Sequence, residues 1–388
     1  MTTTATAHWL RASDVNVDDL ARVVEVTTDL AAYPLASDVS RNVLLYDVAS
    51  LPLRDPEGRR AVQAELVRAL HEGPGVFVLR GAFTDPSVVD AATEAFNQII
   101  AQEQAVGGPA GDHFGTPGAN ARIWNAQEKL AVSAPDVFVR YFMNDAIAVA
   151  SEAWLGPNYQ MTSQVNLVHP GGQDQEPHRD YHLGFQTNEE SERYPSHVHA
   201  MSPQLTLQGA VAHCDMPVES GTTMLLPHSQ KYALGYLAWR NDDVRAYFAQ
   251  HMVQLPLSKG DVIFFSPALL HGAGTNRSAD IERMANLLQV SSAFGRAMEA
   301  MNRDRMCEVV YPALLAAKQA GFPSREVENV IASCAEGYSF PTNLDSDQPI
   351  GGLAPLTQAE LMRQAIAQEW SVERFVDAVR EQTDRRVP

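Results

Sequence analysis

From about residue 160 to about residue 295, the chain consists of short apolar or alternating runs separated by turn signals. Runs such as "QMTSQVNLVH", "LTLQGAVAHCDM" and "DVIFFSP" have the length of strands, and "PGG", "SG" and "KGD" stand between them. Strands this short bury a core only when several of them pack as a sandwich or close into a barrel. This segment therefore predicts a mainly β core.

Helical patterns flank this core on its N-terminal side. The apolar run "GVFVLRGAF" (75–83) predicts a buried strand, and Asp85-Pro86 then provides a helix N-cap followed by proline for a helix through "SVVDAATEAFNQII". A Gly/Pro-rich stretch, 107–118, predicts a loop. The run "VFVRYFMNDAIAVASEAWLG" predicts one further long helix.

The chain becomes helical again after about residue 295. Thr357 and Glu360 form a capping box before "LMRQAIAQEW". We expect the apolar side chains of this part, Leu361, Trp370, Phe375 and Val379, to pack against the core or against a partner, which makes a homodimer possible. The predicted organisation is a domain over 1–295, with its β core at about 160–295, and a helical C-terminal extension over 296–388 that packs on the same domain.

Charge and composition exclude several classes of function. The net charge is -18 and no run of five Lys or Arg residues occurs, so binding to a phosphate backbone is not expected. No apolar run approaches the roughly 20 residues of a membrane helix, and the N-terminus does not resemble a secretory signal. The three cysteines form no C-x-x-C pair. We expect a cytoplasmic protein that acts on a small-molecule substrate.

The stretch "EPHRDYHLGFQ" (176–186) places three possible metal ligands within five positions. On a strand, His178 and Asp180 point to the same face about 6–7 Å apart, which lets them converge on one ion. His182 shares that face, but in a straight strand it lies about 13 Å from His178. We therefore predict His178 and Asp180 as ligands and His182 as a neighbour of the site that does not bind the ion.

A third ligand has to come from elsewhere in the chain. In "KGDVIFFSPALLHGAGTN", a Gly-Asp turn starts an apolar strand, and His271 follows near its end. Two histidines and one carboxylate that leave coordination positions open are the ligand set of non-haem Fe(II) oxygenases. Zinc also accepts these ligands.

Three segments resemble the phytanoyl-CoA dioxygenase family: "VNLVHPGGQDQEPHRDYHLGF", "AVAHCDMPVESGTTMLLPHSQK" and "GDVIFFSPALLHGAGTNRSADIER". The resemblance covers roughly residues 75–295. It implies a double-stranded β-helix, also called a jelly roll or cupin-like fold, that binds Fe(II) and 2-oxoglutarate and uses O₂. The metal triad of the family corresponds here to His178, Asp180 and His271.

The resemblance also implies residues that bind the cosubstrate. The family's 2-oxoglutarate-binding arginine follows the distal histidine on the next strand. Arg283 is the preferred candidate, and Arg277, in the predicted turn "TNRSAD", is its competitor. A planar guanidinium suits a carboxylate held through two hydrogen bonds.

Weaker candidates for the cosubstrate or substrate site are polar residues on neighbouring strands. The resemblance implies that Arg122 and Gln208 contact the cosubstrate or the substrate, and Gln164 and Asn166 share one strand face just before the metal motif. Each of the four could equally be an ordinary surface or strand residue.

The sequence also departs from the family pattern. The usual "PGSH" is replaced by Pro227-His228-Ser229-Gln230, so its histidine is lost. We predict that His228 is structural or on the surface, that His213 and His169 are core or turn histidines, and that Cys214 packs on an apolar strand.

The resemblance implies an Fe(II)/2-oxoglutarate-dependent dioxygenase that oxidises a C–H bond of a small molecule and releases succinate and CO₂. Hydroxylation is the expected outcome because Asp180 occupies the position that related iron halogenases leave to a small residue. Desaturation and ring closure remain open. The alternatives are a divalent-metal hydrolase or isomerase on a cupin-like barrel and a non-catalytic binding protein.

Overall fold

A computed structural model describes residues 8–105 and 120–387. Within these residues the protein is a mixture of helices and strands built around one large sheet. The predicted loop at 107–118 lies outside the described residues.

The large sheet has eight strands in the order β1-β2-β3-β8-β6-β10-β5-β4, and a smaller sheet pairs β7 with β9. Neighbouring strands are antiparallel except for β2 and β3, which are parallel. The strands are β1 (Asp38–Ser40), β2 (Val43–Asp47), β3 (Val76–Arg80), β4 (Asn120–Ile123), β5 (Gln160–Val168), β6 (Thr206–Ala212), β7 (Met224–Leu226), β8 (Val262–Phe265), β9 (Leu270–Gly272) and β10 (Arg283–Ser291).

The two faces of the large sheet have different roles, because successive side chains of a strand point to opposite sides. On β10, Met284, Leu288 and Val290 point into the main hydrophobic core. The odd-numbered residues Arg283, Ala285, Leu287 and Gln289 line a cavity on the other face. One face of the sheet therefore packs on the hydrophobic core, and the opposite face is available for a functional site.

Most helices contribute to the main hydrophobic core behind the large sheet, and others pack against the small β7-β9 sheet. They are α1 (Val17–Val24), α2 (Pro56–His71), α3 (Pro86–Ala105), α4 (Ala126–Ser133), α5 (Pro135–Phe142), α6 (Asp145–Leu155), α7 (Asn188–Ser191), α8 (Ser196–Met201), α9 (Gly235–Ala238), α10 (Asp242–His251), α11 (Arg303–Gln319), α12 (Ser324–Cys334), α13 (Gln358–Ala367) and α14 (Val372–Arg386). The predicted start of α3 is confirmed, since the Asp85 carboxylate accepts a hydrogen bond from the backbone N–H of Ser87 at 3.0 Å.

The prediction of one long helix over 137–156 is wrong. The helix stops at Phe142 and a new one starts at Asp145. The Asn144 side chain caps the second helix by accepting a hydrogen bond from Ile147 N at 3.0 Å, and its amide donates to the Ala82 carbonyl at 2.8 Å. An asparagine satisfies free backbone groups at a helix start better than it fits a helix interior, so the chain breaks here.

The extent of the β core also differs from the prediction. Four of the eight strands in the large sheet, β1 to β4, come from before residue 160. The interval 160–295 also contains the four short helices α7 to α10. β3 pairs with β8, so β1 to β3 extend one side of the sheet, and β4 forms the opposite edge beside β5.

The C-terminal part is helical, as predicted, apart from the irregular stretch 335–357. The capping box is present, because Thr357 and Glu360 exchange side chain to backbone hydrogen bonds at the start of α13. Leu361, Phe375 and Val379 belong to the same core cluster as the helices behind the sheet, and Trp370 packs against it. No helix among the described residues is long and apolar enough to cross a membrane.

Phe375→Ala should lower the free energy of unfolding by about 3–5 kcal/mol, the usual cost of truncating a buried phenylalanine. Phe375 is completely buried and stacks on Tyr311 with 4.1 Å between the ring centroids. Urea unfolding followed by circular dichroism measures the change. The matched control is Phe294→Ala, since Phe294 is 77% exposed and its loss should cost less than about 0.5 kcal/mol. Equal effects of the two substitutions would show that α14 is not part of the core.

Candidate active site

The two histidines of the predicted metal site face each other across a short antiparallel bridge. His178 N donates to the His271 carbonyl at 2.9 Å, and His271 N donates to the His178 carbonyl at 3.1 Å. The stretch around His178 is otherwise irregular and is not the regular strand that we predicted. The bridge places the two imidazole centroids 4.6 Å apart, although the residues are 93 positions apart in the chain.

Asp180 completes a compact group of three possible ligands. One ligand atom from each of His178, Asp180 and His271 lies within 4.8 Å of the others. The Asp180 carboxylate oxygens are 3.5 Å from His178 Nε2 and 3.4 Å from His271 Nε2. Ligand atoms bound to one divalent ion at about 2.1 Å lie about 3 Å apart when the bonds are perpendicular. Only a small contraction would therefore be needed to bind an ion.

Both histidines have the tautomer that metal binding needs. His178 Nδ1 lies 2.7 Å from the Glu176 carbonyl, and His271 Nδ1 lies 2.9 Å from the Leu269 carbonyl. A carbonyl only accepts, so each Nδ1 carries the proton and donates it. This leaves the lone pair on Nε2, the atom that faces Asp180, and it also fixes the orientation of each ring.

The charge of Asp180 is stabilised in place. Burial alone would raise the pKa of this carboxyl, but the positive charge that His178 and His271 carry when protonated, together with a hydrogen bond from Gln208 Nε2 at 2.5 Å, holds it below its ordinary value. Burial lowers the pKa of His178, which keeps its ring neutral near pH 7. An ionised Asp180 beside a neutral His178 suits the binding of a cation, because metal ligands must be deprotonated.

His182 lies outside this group of candidate ligands, and the cause is not the straight-strand distance that we expected. The chain leaves the extended conformation at Tyr181 and His182, which have φ of 62° and 46°. His182 then begins a 3-10 turn over 182–185, and its Nδ1 lies 3.3 Å from Ser202 Oγ. A turn, rather than distance along a straight strand, separates His182 from the ligands.

A cavity of about 750 Å³ opens beside the three ligands. All of the remaining predicted site residues line it, namely Arg283, Arg122, Gln164, Asn166 and Gln208. They come from β4, β5, β6 and β10, which are adjacent in the sheet. The sheet therefore brings together side chains that are far apart in the sequence.

Arg283 is the first residue of β10 and is 7% exposed. Burial lowers the pKa of its guanidinium to about 10, which leaves it charged near pH 7. Among residues 8–105 and 120–387, no side chain forms an ion pair with it. Arg277, the competing candidate, is exposed on the preceding turn and does not line the cavity.

Small residues lie between the ligand group and Arg283. Gln208, which binds Asp180, is followed on the same face of β6 by Ala210 and Ala212, and Ala212 pairs with Ala285 on β10. We call Ala210, Ala212 and Ala285 the cavity floor. Methyl side chains leave space above the sheet where larger side chains would fill the cavity.

The other predicted polar residues form a side wall. Arg122 donates a hydrogen bond to Gln164 Oε1, and its guanidinium lies 4.5 Å from the centre of the Trp124 ring. Asn166 accepts from Asn120 at 3.4 Å. Gln208 is not part of this side wall, because its side-chain amide donates a hydrogen bond to Asp180.

Sequence reasoning missed several residues of the cavity. The Tyr181 hydroxyl donates to Gln289 on β10, next to the ligand group. Met298 lies beyond the predicted end of the β core, yet it lines the cavity with its sulfur 3.3 Å from the Tyr181 hydroxyl. Trp239 and Phe185 line the cavity as well. The period-two pattern of β10 could have indicated Gln289, which shares a strand face with Arg283, whereas no local pattern indicates Met298 or Trp239.

The histidines outside the ligand group have structural partners. His213 is buried between the Thr93 and Tyr141 hydroxyls at 2.8 and 2.9 Å, and burial lowers its pKa to about 3. His169 pairs with Glu282 on a turn at 2.5 Å. Both match the predicted core and turn roles.

His228 and Cys214 both lie just beyond the ends of strands, after β7 and β6 respectively. Of the two predicted roles for His228, structural or surface, the structure supports the structural one, because its buried ring contacts Thr28 and Lys231. Burial lowers its pKa to about 4. Cys214 is not on the strand, since β6 ends at Ala212. It is half-buried, with its sulfur 3.6 Å from the Glu282 carbonyl.

Comparison with solved structures finds non-heme α-ketoglutarate-dependent enzymes. The epimerase SnoN from nogalamycin biosynthesis is 21% identical over 60% of this chain and 84% of that chain, with a TM-score of 0.41. The carbocyclase SnoK from the same biosynthesis is 21% identical over 59% and 83%, with a TM-score of 0.44. AviO1 from Streptomyces viridochromogenes Tue57 is 16% identical over 62% and 98%, with a TM-score of 0.43. Likeness at this level does not define an activity.

No curated protein matches the chain significantly. The sequence profile of the family described as Phytanoyl-CoA dioxygenase (PhyH) matches residues 71–285. The match spans more than half of the 388 residues and includes the three candidate ligands and Arg283. The chain therefore belongs to the phytanoyl-CoA dioxygenase family.

Proposed function

We propose that the protein is an Fe(II)/2-oxoglutarate-dependent dioxygenase that hydroxylates a C–H bond of a small-molecule substrate and releases succinate and CO₂. The observation that carries this proposal is the pairing of two features in one cavity. The first is a group of two histidines and one carboxylate. The second is Arg283, a buried arginine without an anionic partner among the described residues.

The donor set suits the metal. Two neutral imidazoles and one carboxylate leave part of the coordination sphere open, as a non-haem Fe(II) site requires. His178, Asp180 and His271 would hold the ion from one side. When bound, Fe(II) together with 2-oxoglutarate and O₂ supplies the oxidising chemistry that protein side chains lack.

The region between the ligand group and Arg283 suits the cosubstrate. 2-Oxoglutarate is a short dianion, and the alanines of the cavity floor leave room for its carbon chain. Arg283 would hold the far carboxylate through two charge-assisted hydrogen bonds. Burial strengthens this attraction, because water competes less for both charges. Arg283 thus fixes the orientation of the cosubstrate from the end opposite the metal.

The rest of the cavity would take the substrate. Trp239, Phe185, Trp124 and Met298 offer apolar and aromatic surface, and Arg122, Gln164 and Asn166 offer polar contacts along the side wall. A pocket with an apolar lining and a few convergent polar groups fits a small organic molecule. Enclosure by these side chains would exclude water from the reacting centre.

The same proposal includes the architecture. The large sheet and the β7-β9 sheet both contribute to the site, since Gln208 lies on one and His271 on the other. We propose that together they form a double-stranded β-helix over about 160–295, completed by strands from the N-terminal part. Residues 1–295 would form the dioxygenase domain and residues 296–388 a helical extension packed on it.

Anaerobic addition of Fe(II) and 2-oxoglutarate tests the assignment directly. A visible charge-transfer band is expected when the keto acid chelates iron in the site, and exposure to O₂ should then release succinate. Binding of Zn²⁺ without the band would favour the hydrolase or isomerase. Absence of metal binding would favour a non-catalytic protein.

Replacing any one of His178, Asp180 or His271 by alanine should weaken Co(II) or Fe(II) binding at least about 100-fold, since loss of a direct ligand exceeds the 10–100-fold cost of losing an outer-shell partner. Anaerobic titration calorimetry measures the affinity. His182→Ala is the matched control and should bind within about threefold of the wild type, because its ring contacts Ser202 instead. Strong loss in His182→Ala with normal binding in His178→Ala would reverse the ligand assignment.

Arg283→Ala should raise the 2-oxoglutarate concentration needed for half-maximal band intensity by about 30-fold or more. Removing one partner of a buried charge pair costs about 2–5 kcal/mol, and 2 kcal/mol corresponds to about 30-fold. Arg283→Lys should restore only part of the affinity, because an ammonium group lacks the planar fork. Arg277→Ala serves as the control. A large loss of 2-oxoglutarate affinity in Arg277→Ala alone would show that Arg277, and not Arg283, holds the far carboxylate.

Ala212→Leu should weaken 2-oxoglutarate binding by about 10-fold or more and leave metal affinity unchanged. The larger side chain would fill the cavity floor, and overfilling a packed site costs about 1–3 kcal/mol. The matched control is Val211→Leu, which adds volume on the core face of the same strand. Val211→Leu should lower the unfolding midpoint without changing the titration with 2-oxoglutarate. Identical titrations of the two variants would refute the placement of the cosubstrate.

A further inference from the structure

Arg179 lies between two of the candidate ligands and points away from them into the protein. It is 2% exposed. One terminal nitrogen donates to the Ser229 carbonyl at 2.5 Å and to the Tyr232 carbonyl at 3.0 Å. In the part of the chain that the structure describes, no carboxylate forms an ion pair with it. Burying a cation without a carboxylate partner costs free energy, so the contacts of this guanidinium need a structural or functional explanation.

The surroundings of the guanidinium are shaped to fit it. Its central carbon lies 5.3 Å from the centre of the Tyr236 ring. At the neighbouring Gly235, an added Cβ would come 1.7 Å from that carbon and 2.0 Å from a terminal nitrogen. Only glycine therefore fits at position 235 while Arg179 keeps its position. The segment 229–236 thus forms a closely fitting pocket for Arg179.

The same segment also supports the strand of the third candidate ligand. Ser229 Oγ accepts a hydrogen bond from Leu270 N at 2.8 Å, next to His271. Tyr236 contacts the Asp180 carbonyl through its hydroxyl at 3.4 Å. The backbone that carries His178 and Asp180 and the strand that carries His271 are therefore tied to one common segment.

We propose that Arg179 is a positioning residue for the metal centre. By filling the pocket formed by residues 229–236, it fixes the backbone between His178 and Asp180 relative to the strand of His271. The inference rests on the proposed function, because it assumes that these three residues bind a metal. Its chemistry requires arginine, since a lysine ammonium cannot contact two carbonyls and an aromatic face with the same planar geometry.

Co(II) binding to the protein without cosubstrate or turnover provides the test. Arg179→Lys, which keeps the charge, and Gly235→Ala, which displaces the guanidinium, should each weaken Co(II) binding about 10–100-fold, as is usual when a residue that orients metal ligands is lost. The ligand-field absorption spectrum of bound Co(II) should also shift, because the arrangement of its ligands changes. A residue needed only for stability would lower the unfolding midpoint but leave the affinity and spectrum of the folded protein unchanged.

The double variant shows whether the two substitutions act through one contact. In the Arg179→Lys background, Gly235→Ala should have little further effect, since no guanidinium remains to be displaced. Effects that multiply in the double variant would show independent causes and overturn the proposal. Arg68→Lys is the matched control, because Arg68 also lies over a tyrosine ring, that of Tyr33, and donates to a backbone carbonyl, but far from the ligands.

Co(II) binding by the wild type and by the variants distinguishes failure of the proposed function from failure of the positioning role alone. If the wild type fails to bind Co(II), the proposed function fails and this inference fails with it. If the wild type binds and Arg179→Lys and Gly235→Ala bind with wild-type affinity and spectrum, only the positioning role is overturned. Weaker binding and a shifted spectrum in both, with normal binding in Arg68→Lys, support it.

Discussion

The pair of backbone hydrogen bonds between His178 and His271 is the interaction on which the site depends. It joins an irregular stretch to β9 and brings two imidazoles from distant parts of the chain to one point. Because both bonds involve backbone atoms, the side chains remain free to bind an ion. Their Nδ1 atoms are then occupied by carbonyls, and both Nε2 atoms are directed at Asp180. The bridge thus sets the relative position of the two histidines, and the Glu176 and Leu269 carbonyls fix the tautomer and orientation of their rings.

The large sheet extends this arrangement into a binding cavity. Side chains on one face of the sheet pack into the main hydrophobic core. Arg283, Gln208 and the alanines of the cavity floor are on the other face and line the cavity. The spacing along β6 and β10 separates the ligand group from Arg283, and that separation determines the length of anion that the site could hold. The segment 229–236 contacts the backbone beside the candidate ligands, where small displacements would matter most for metal binding.

Much of the site could be predicted from the sequence, for reasons that differ between residues. His178 and Asp180 were predicted from their spacing, and Arg283 from a family pattern that the later strand assignment supports. Gln208 was placed at the site, but its hydrogen bond to Asp180 could not be read from β6 alone. The helix break at Asn144 was missed because the apolar pattern continues across it, while the capping contact is made only in the folded chain.

The sequence by itself determined what is local: the kinds of ligand, the alternation of side chains along β10 and the capping box at Thr357. These features depend on residues a few positions apart, so short-range geometry encodes them. Only the tertiary structure decided that β1 to β4 complete the sheet, that Met298 from beyond the β core reaches the cavity, and that Arg179 is enclosed by the segment 229–236. Such contacts depend on strand register and on packing between distant segments, which no local pattern specifies.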